Sequence, residues 1–178
     1  MSGVKSDLIL DFVNTRELRP VGEELDSPRA LVGWLAERGL LAADTRASRA
    51  ELAEAQALRE ALRDLLAAHN GLTVDLDAAT ARIDEAACRA RLALRFSECE
   101  SRLVPGARGV RGALGLILVE VTAAMADGTW DRMKACRADD CLWAFLDTAK
   151  NQSRAWCSMR SCGNREKVRA YRRRSASR

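Results

Sequence analysis

Histidine is nearly missing from this 178-residue chain: His69 is the only one. It falls beside Asn70–Gly71 at the end of a predicted helix, where interaction with the helix dipole accounts for it. No nucleophile motif, phosphate-binding loop or metal site with a vacant position accompanies it. These absences argue against an enzyme. Aromatic residues are also scarce, at 4%. The core must therefore be built mainly from Leu, Ala and Val, a composition that favours helices. No long hydrophobic run is present either. Leu8–Leu10 is flanked by Asp7 and Asp11, too short and too acidic for an export signal. No uninterrupted apolar stretch approaches the 18 or so residues of a membrane span. The expectation is a cytoplasmic protein with no membrane partner, in which clustered cysteines are metal ligands rather than disulfides.

Apolar residues make up 48% and charged residues 30%, enough for a real core in a soluble protein. The net charge of +4 is unevenly spread. Residues 129–178 hold 13 Lys/Arg against 5 Asp/Glu, whereas residues 1–128 are mildly acidic. A basic end on an acidic body is expected where one end meets a polyanion.

Asp7 to Thr15 reads as a short apolar segment of either helical or extended type, and residues 17–26 as a loop. Ser27–Pro28 then opens a helix that presents Leu31, Trp34 and Leu35 on one face and ends at Gly39. Ser48 and Glu51 form a capping box. Behind it Leu52, Ala55, Leu58, Leu62 and Leu65 follow at helical spacing, with Arg and Glu on the opposite face, up to Asn70–Gly71. A further helix from about Asp77 to Ala90 presents Ile83 and Ala87. Alternation at Leu92, Leu94 and Phe96, then Leu103–Val104, predicts a hairpin turning near residues 98–101. From Val110 to Ala126 an apolar helix carries Leu114, Ile117, Leu118, Val121 and Met125. Its Gly112 and Gly115 allow close packing, and Asp127–Gly128 stops it.

Six cysteines occur, and four form a pattern. Cys136 and Cys141 are separated by four residues, Cys157 and Cys162 repeat that gap, and fifteen residues lie between the pairs. A structural Zn²⁺ site takes four thiolate or imidazole donors in a tetrahedron, and two local pairs supply them with little loss of chain freedom. The first pair lies on the arms of a predicted β-hairpin with residues 137–140 at its tip. The second opens a helix over about 164–174, whose N-terminal amides, with Lys134, Arg137 and Arg160, offset the negative charge of four thiolates. Cys88 and Cys99 read as small core residues.

From Lys150 to Arg178 there are ten Lys/Arg and one acid, Glu166. On the predicted helix Arg165, Arg169, Arg172 and Arg173 share a broad face, while Val168 and Tyr171 are expected to pack back towards Trp143 and Trp156. Arginine suits phosphate through its bidentate fork. The expected nucleic-acid contacts are Lys150, Arg154, Arg160, Asn164, Arg165, Lys167, Arg169, Arg172, Arg173 and Arg174. No aromatic-interleaved platform for single-stranded bases is evident, though RNA stays open as an alternative to DNA. Asp11, Asn14, Thr15 and Arg16 set polar groups beside an apolar segment and form a candidate ligand-pocket wall; a capped strand or helix end is the more ordinary explanation.

The run Cys157-Ser-Met-Arg-Ser-Cys162-Gly163-Asn164-Arg165, followed by Lys167-Val-Arg-Ala-Tyr-Arg-Arg, resembles the signature of the CGNR zinc finger family. The Leu10-Asp11-Phe12-Val13-Asn14-Thr15 segment is similar to the start of the N-terminal domain that usually accompanies this finger, so the resemblance spans the chain. It implies a bacterial stress-induced transcription regulator with a DNA-binding zinc finger, and it carries the ligand role onto Cys136, Cys141, Cys157 and Cys162. In Gly163-Asn164-Arg165, Gly163 is expected to let backbone approach a metal-bound sulfur, and Asn164 to cap the helix or bond a thiolate.

The expected fold is α+β and mostly helical. Residues 1–128 form an N-terminal helical regulatory or dimerisation domain with a short β-hairpin. Residues 129–178 form a treble-clef-like zinc module, a β-hairpin plus a C-terminal helix. The leading function is a DNA-binding transcription regulator holding a structural Zn²⁺, with a small-molecule effector and a homodimer as candidate partners. An RNA-binding protein and a zinc–thiolate redox switch are the alternatives.

Overall fold

The structure is a computed structural model, and it describes residues 3–176. The opening segment is a helix, α1 (Gly3–Asn14), which buries Ile9, Phe12 and Val13. Residues 17–26 are not a loop. Strands β1 (Arg16–Leu18) and β2 (Val21–Glu23) pair antiparallel across a tip at Arg19–Pro20. Nothing in their own alternation signals strands. The pairing is held from outside, because Arg59 grips Glu23 through two bonds of 2.6 and 2.8 Å.

Helix α2 (Pro28–Glu37) starts as its sequence dictates: the Ser27 hydroxyl accepts from the Ala30 amide, Pro28 takes the first helical position, and Leu31, Trp34 and Leu35 are buried. The ring of Trp34 packs 5.5 Å from that of Phe12 in α1. Helix α3 (Arg49–His69) carries the predicted capping box and buries Ala55, Leu58 and Leu62. Its polar side is not simply a solvent face. Arg59 and Arg63 are 1% and 3% exposed. Both reach across to the end of α1, where carbonyls without helical partners attract cations. Arg63 donates to the Val13 and Arg16 carbonyls, and Arg59 to the Thr15 hydroxyl.

Helix α4 (Leu76–Ala90) is capped by Asp75 and keeps Ile83 and Ala87 partly buried against the core. The predicted hairpin forms from β3 (Leu92–Phe96) and β4 (Ser101–Pro105), with Leu92 opposite Pro105 and Phe96 opposite Ser101. Only its base packs on the body. Leu94 and Phe96 are exposed because the arm projects beyond it. Cys88 and Cys99 are exposed as well, not core residues.

Helix α5 (Gly109–Asp127) is the apolar spine, burying Leu114, Ile117, Leu118 and Val121, while Met125 is exposed. It is long and apolar enough to cross a bilayer, but half of that stretch is buried inside the protein, as in a core helix. A Cβ on Gly115 would lie 2.8 Å from the Ala90 Cβ and 2.9 Å from the Pro105 Cβ, so only glycine lets α5 approach α4 and β4 this closely. Gly128, at φ +77°, ends the helix in the left-handed region.

After a 3₁₀ turn over Trp130–Arg132, strands β5 (Met133–Ala135) and β6 (Ala144–Leu146) pair antiparallel. Trp130, Met133, Ala135 and Ala144 join the same core as α1, α3 and α5, with β5 packed on α3 and β6 on α1. Residues 159–163 make a single wide turn, and α6 (Asn164–Ala176) follows.

Candidate metal centre and basic helix

The β5–β6 hairpin brings the first cysteine pair together. The Cys136 amide donates to the Trp143 carbonyl at 2.9 Å and the Cys141 amide to the Ala138 carbonyl at 2.9 Å, curling residues 136–143 into a knuckle. The turn before α6 supplies the second pair. The four Sγ atoms all lie within 4.8 Å of one another, and Cys141–Cys157 and Cys157–Cys162 stand at 3.7 Å. A tetrahedral Zn²⁺ with Zn–S bonds of about 2.3 Å sets its sulfurs about 3.8 Å apart. Cys136 and Cys162 are buried and the other two half-buried, packed with Ala138, Phe145 and Trp156 in a small apolar cluster of their own.

The thiols' proton balance points the same way. Hydrogen bonding from Cys141 draws Cys136 down to about 5 against the opposing effect of burial. That same bond and burial drive Cys141 upward, and burial with the Cys136 charge pushes Cys157 up to about 12. Four thiols this close share protons rather than ionise together, and a dication among them removes the conflict. The donor set, spacing and burial fit a structural zinc ion, whose contribution is a tetrahedral cross-link between the knuckle and the start of α6.

The groups that support this centre are ones the sequence does not advertise. The Asn70 side-chain amide, at the end of α3, donates to the carbonyls of both Ala135 and Ala155 at 2.7 Å. Those residues lead into Cys136 and Cys157, so one side chain spaces both pairs. Asn14 does the same for β6, donating to the Ala144 carbonyl at 2.9 Å and accepting its amide at 2.8 Å. Arg63 adds a bond to the Leu142 carbonyl inside the knuckle. His69 has its Nδ1 2.9 Å from the Met133 carbonyl and meets Trp130 edge-on.

Lys134 and Arg137 do not screen the thiolates, as their nearness in sequence suggested. Lys134 is buried and pairs with Asp147 at 2.7 Å, while Arg137 donates to the Asn70 carbonyl. Asp147 also accepts the amides of Ala149 and Arg154, which fixes the excursion between the cysteine pairs. Arg160 is exposed. The cation beside sulfur is instead Arg165, whose Nη2 lies 3.4 Å from the Cys162 Sγ.

Arg165 also pairs with Asp140 at 2.8 Å; Arg169 reaches Asp140 at 2.9 Å and Glu166 at 2.7 Å, and Arg19 from the β1–β2 tip joins at 3.1 Å. Burial raises the Asp140 carboxyl, but the bonds from Arg165 and Arg169 outweigh it and hold it below the usual range. This attraction sets the roll of α6. Arg165 and Arg169 turn towards the knuckle, whereas Val168 and Tyr171, expected to pack inward, are exposed. Gly163 serves a different neighbour from the expected sulfur: a Cβ there would lie 2.4 Å from the Met159 Sδ and 3.4 Å from Trp156. Asn164 donates to the Arg160 carbonyl at 3.3 Å, bracing the turn rather than a thiolate.

Of the other expected nucleic-acid contacts, Lys150, Arg154, Lys167, Arg172, Arg173 and Arg174 are exposed. Asp11, Asn14, Thr15 and Arg16 divide between surface and interior. Asp11 and Arg16 lie outside and pair with Arg38 and Glu60, and Asn14 and Thr15 are buried in structural bonds. Asn70, Asp140 and Asp147 escaped the sequence reading because a helix stop, a turn residue and a loop acid carry no distinctive spacing.

Residues 132–175 match the CGNR zinc finger. Residues 6–128 match the ABATE family, described as "Putative stress-induced transcription regulator". That second match covers more than half of the chain, and the chain belongs to this family. No curated protein matches it.

Proposed function

We propose that this protein regulates transcription by binding duplex DNA through the zinc-anchored helix α6, and that it acts by binding rather than catalysis. The observation that carries this reading is the exposed basic surface of α6, where Lys167, Arg172 and Arg174 stand free of the knuckle on a helix whose first turn is tied to the metal centre. Phosphate neutralisation by such a face is sequence-independent; any base reading would come from the same helix in a major groove. Residues 129–178 would be the DNA-contacting module and residues 1–128 the regulatory or dimerising body, in the cytoplasm. The fusion of β5 and β6 into the body's core supports direct coupling between the two, because a change at α1 or α3 bears on the knuckle itself.

The test is binding of zinc-loaded full-length protein to duplex DNA across a salt series. Affinity should fall steeply with salt, and a Lys167→Ala, Arg172→Ala, Arg174→Ala variant should reduce the log–log slope by about 2 to 3. A variant that binds as well as the parent at every salt concentration defeats the reading.

A further inference from the structure

An open groove of 660 Å³ runs over the zinc centre, taking in Cys141, Cys157 and Cys162 along its floor, within the size range of small-ligand sites. One wall is the knuckle, with Trp143 and Phe145; another is the turn carrying Ser158 and Ser161. The β1–β2 tip brings Arg19 from more than a hundred residues away. Three arginines, Arg19, Arg154 and Arg165, line the groove against one acid, Glu17.

The two aromatic residues are not equivalent. Phe145 is buried, and the Arg154 guanidinium lies 4.7 Å over its ring while bonding the carbonyls of Trp156 and Cys157. That face is already covered. Trp143 is the opposite case: its carbonyl is locked to the Cys136 amide in the knuckle, yet its side chain stays 36% exposed. Trp34 and Trp130 are each 5% exposed and Trp156 is half-buried, so Trp143 is the most open of the four indoles. A rigidly mounted, part-exposed indole sharing a groove with arginines is an arrangement that can stack a base while drawing in its phosphate.

We propose that this groove holds an unpaired nucleotide of single-stranded DNA, its base stacked on Trp143 and its phosphate drawn to Arg19, Arg154 and Arg165. The inference rests on the DNA-binding reading above and names the strand form that the groove prefers. Sequence spacing hides the site, since Trp143, Arg154 and Arg19 meet only through the knuckle, the Asp147-pinned loop and the β1–β2 hairpin. Asp140 already holds Arg19 and Arg165. A phosphate therefore shares these cations rather than finding them unpaired.

The experiment titrates zinc-loaded full-length protein with three labelled probes of roughly 12 nucleotides: oligodeoxythymidine, an abasic deoxyribose-phosphate strand of equal charge, and a duplex. The thymidine strand should bind several-fold tighter than the abasic strand and quench tryptophan fluorescence. Trp143→Ala should weaken thymidine-strand binding about tenfold and leave duplex binding unchanged. Should Trp143→Ala lose zinc, Trp143→Phe carries the test: affinity stays and the quench disappears. Equal affinity for thymidine and abasic strands, or a quench that persists in Trp143→Phe, overturns the proposal. Duplex binding alongside those results leaves the regulator reading standing, whereas no binding of any probe ends both.

Discussion

Asn14 and Ala144 are 130 residues apart, and the Asn14 amide closes a two-bond ring with the Ala144 backbone, donating at 2.9 Å and accepting at 2.8 Å. The last residue of α1 thus acts as an extra strand partner for β6. The Asn14 side chain and the strand edge are both buried, so neither can exchange its bond for one to water. Asn14→Ala should destabilise the zinc-loaded protein by about 1–3 kcal/mol, the cost of leaving buried backbone groups unpaired. Urea unfolding measures it, and an unchanged midpoint would show the pair to be dispensable.

The metal centre predicts stoichiometry. Purified protein should contain close to one zinc per chain, and Cys157→Ser should lose most of it, because three thiolates leave the cross-link between knuckle and helix incomplete. Chelation should disorder the module before the α3–α5 core, which near-ultraviolet and far-ultraviolet dichroism can separate. Retention of full zinc by Cys157→Ser would remove that residue from the ligand set.

The two arginine sets on α6 should behave differently. Arg165 bonds the Cys162 sulfur and Asp140, so Arg165→Ala should speed zinc loss to a chelator by about 10- to 100-fold. Arg172, exposed two turns further along α6, should leave zinc retention unchanged when replaced by Ala and weaken duplex binding alike on all sequences. Identical chelation rates in the two variants contradict this division.

Asp147 ties stability to acid. Burial alone would raise its carboxyl, but the bond from Lys134 and the amides of Ala149 and Arg154 hold it below the usual range. Its folded-state value is therefore depressed. The stability it contributes is present above the unfolded carboxylate value near 4 and is lost as pH falls through the folded value. The stability gap between the parent and Asp147→Asn should be constant at neutral pH and close below about pH 4. A gap that widens on acidification reverses the assigned sign. Lys134→Ala should cost about 3–5 kcal/mol at neutral pH, because it strands a buried carboxylate.

Gly115 tests the packing. Gly115→Ala puts a methyl within 2.9 Å of two Cβ atoms on neighbouring elements, Ala90 and Pro105. Backbone must shift to admit it, costing about 1–3 kcal/mol. Gly33, with nothing near its missing Cβ, should accept Ala without loss. Thermal melts of the two variants provide the comparison.

What was legible in the sequence was local. The Ser27 and Ser48 caps, the apolar stripe of α3, the glycine contact of α5 and the cysteine pairs each carry their signal within a few residues of where it acts. The β1–β2 hairpin was not legible, because Arg59, an α3 residue with the look of a solvent-facing charge, is what grips Glu23. The roll of α6 was read the wrong way round for a similar reason. Periodicity gives a helix two faces, but it took Asp140, in another element, to choose the arginine face as the inner one.

By itself the sequence determined the donor set for zinc, the helical body and the basic terminus, since donor identity, short-range periodicity and net charge are properties of residues in order. Tertiary structure alone decided that Asn14 and Asn70 brace the metal module, that Arg165 and Arg169 face the knuckle, and that Trp143, Arg154 and Arg19 share one groove. Those relationships depend on directional bonds and ion pairs between segments distant in the chain, and a buried polar group takes whichever partner the packing brings within reach.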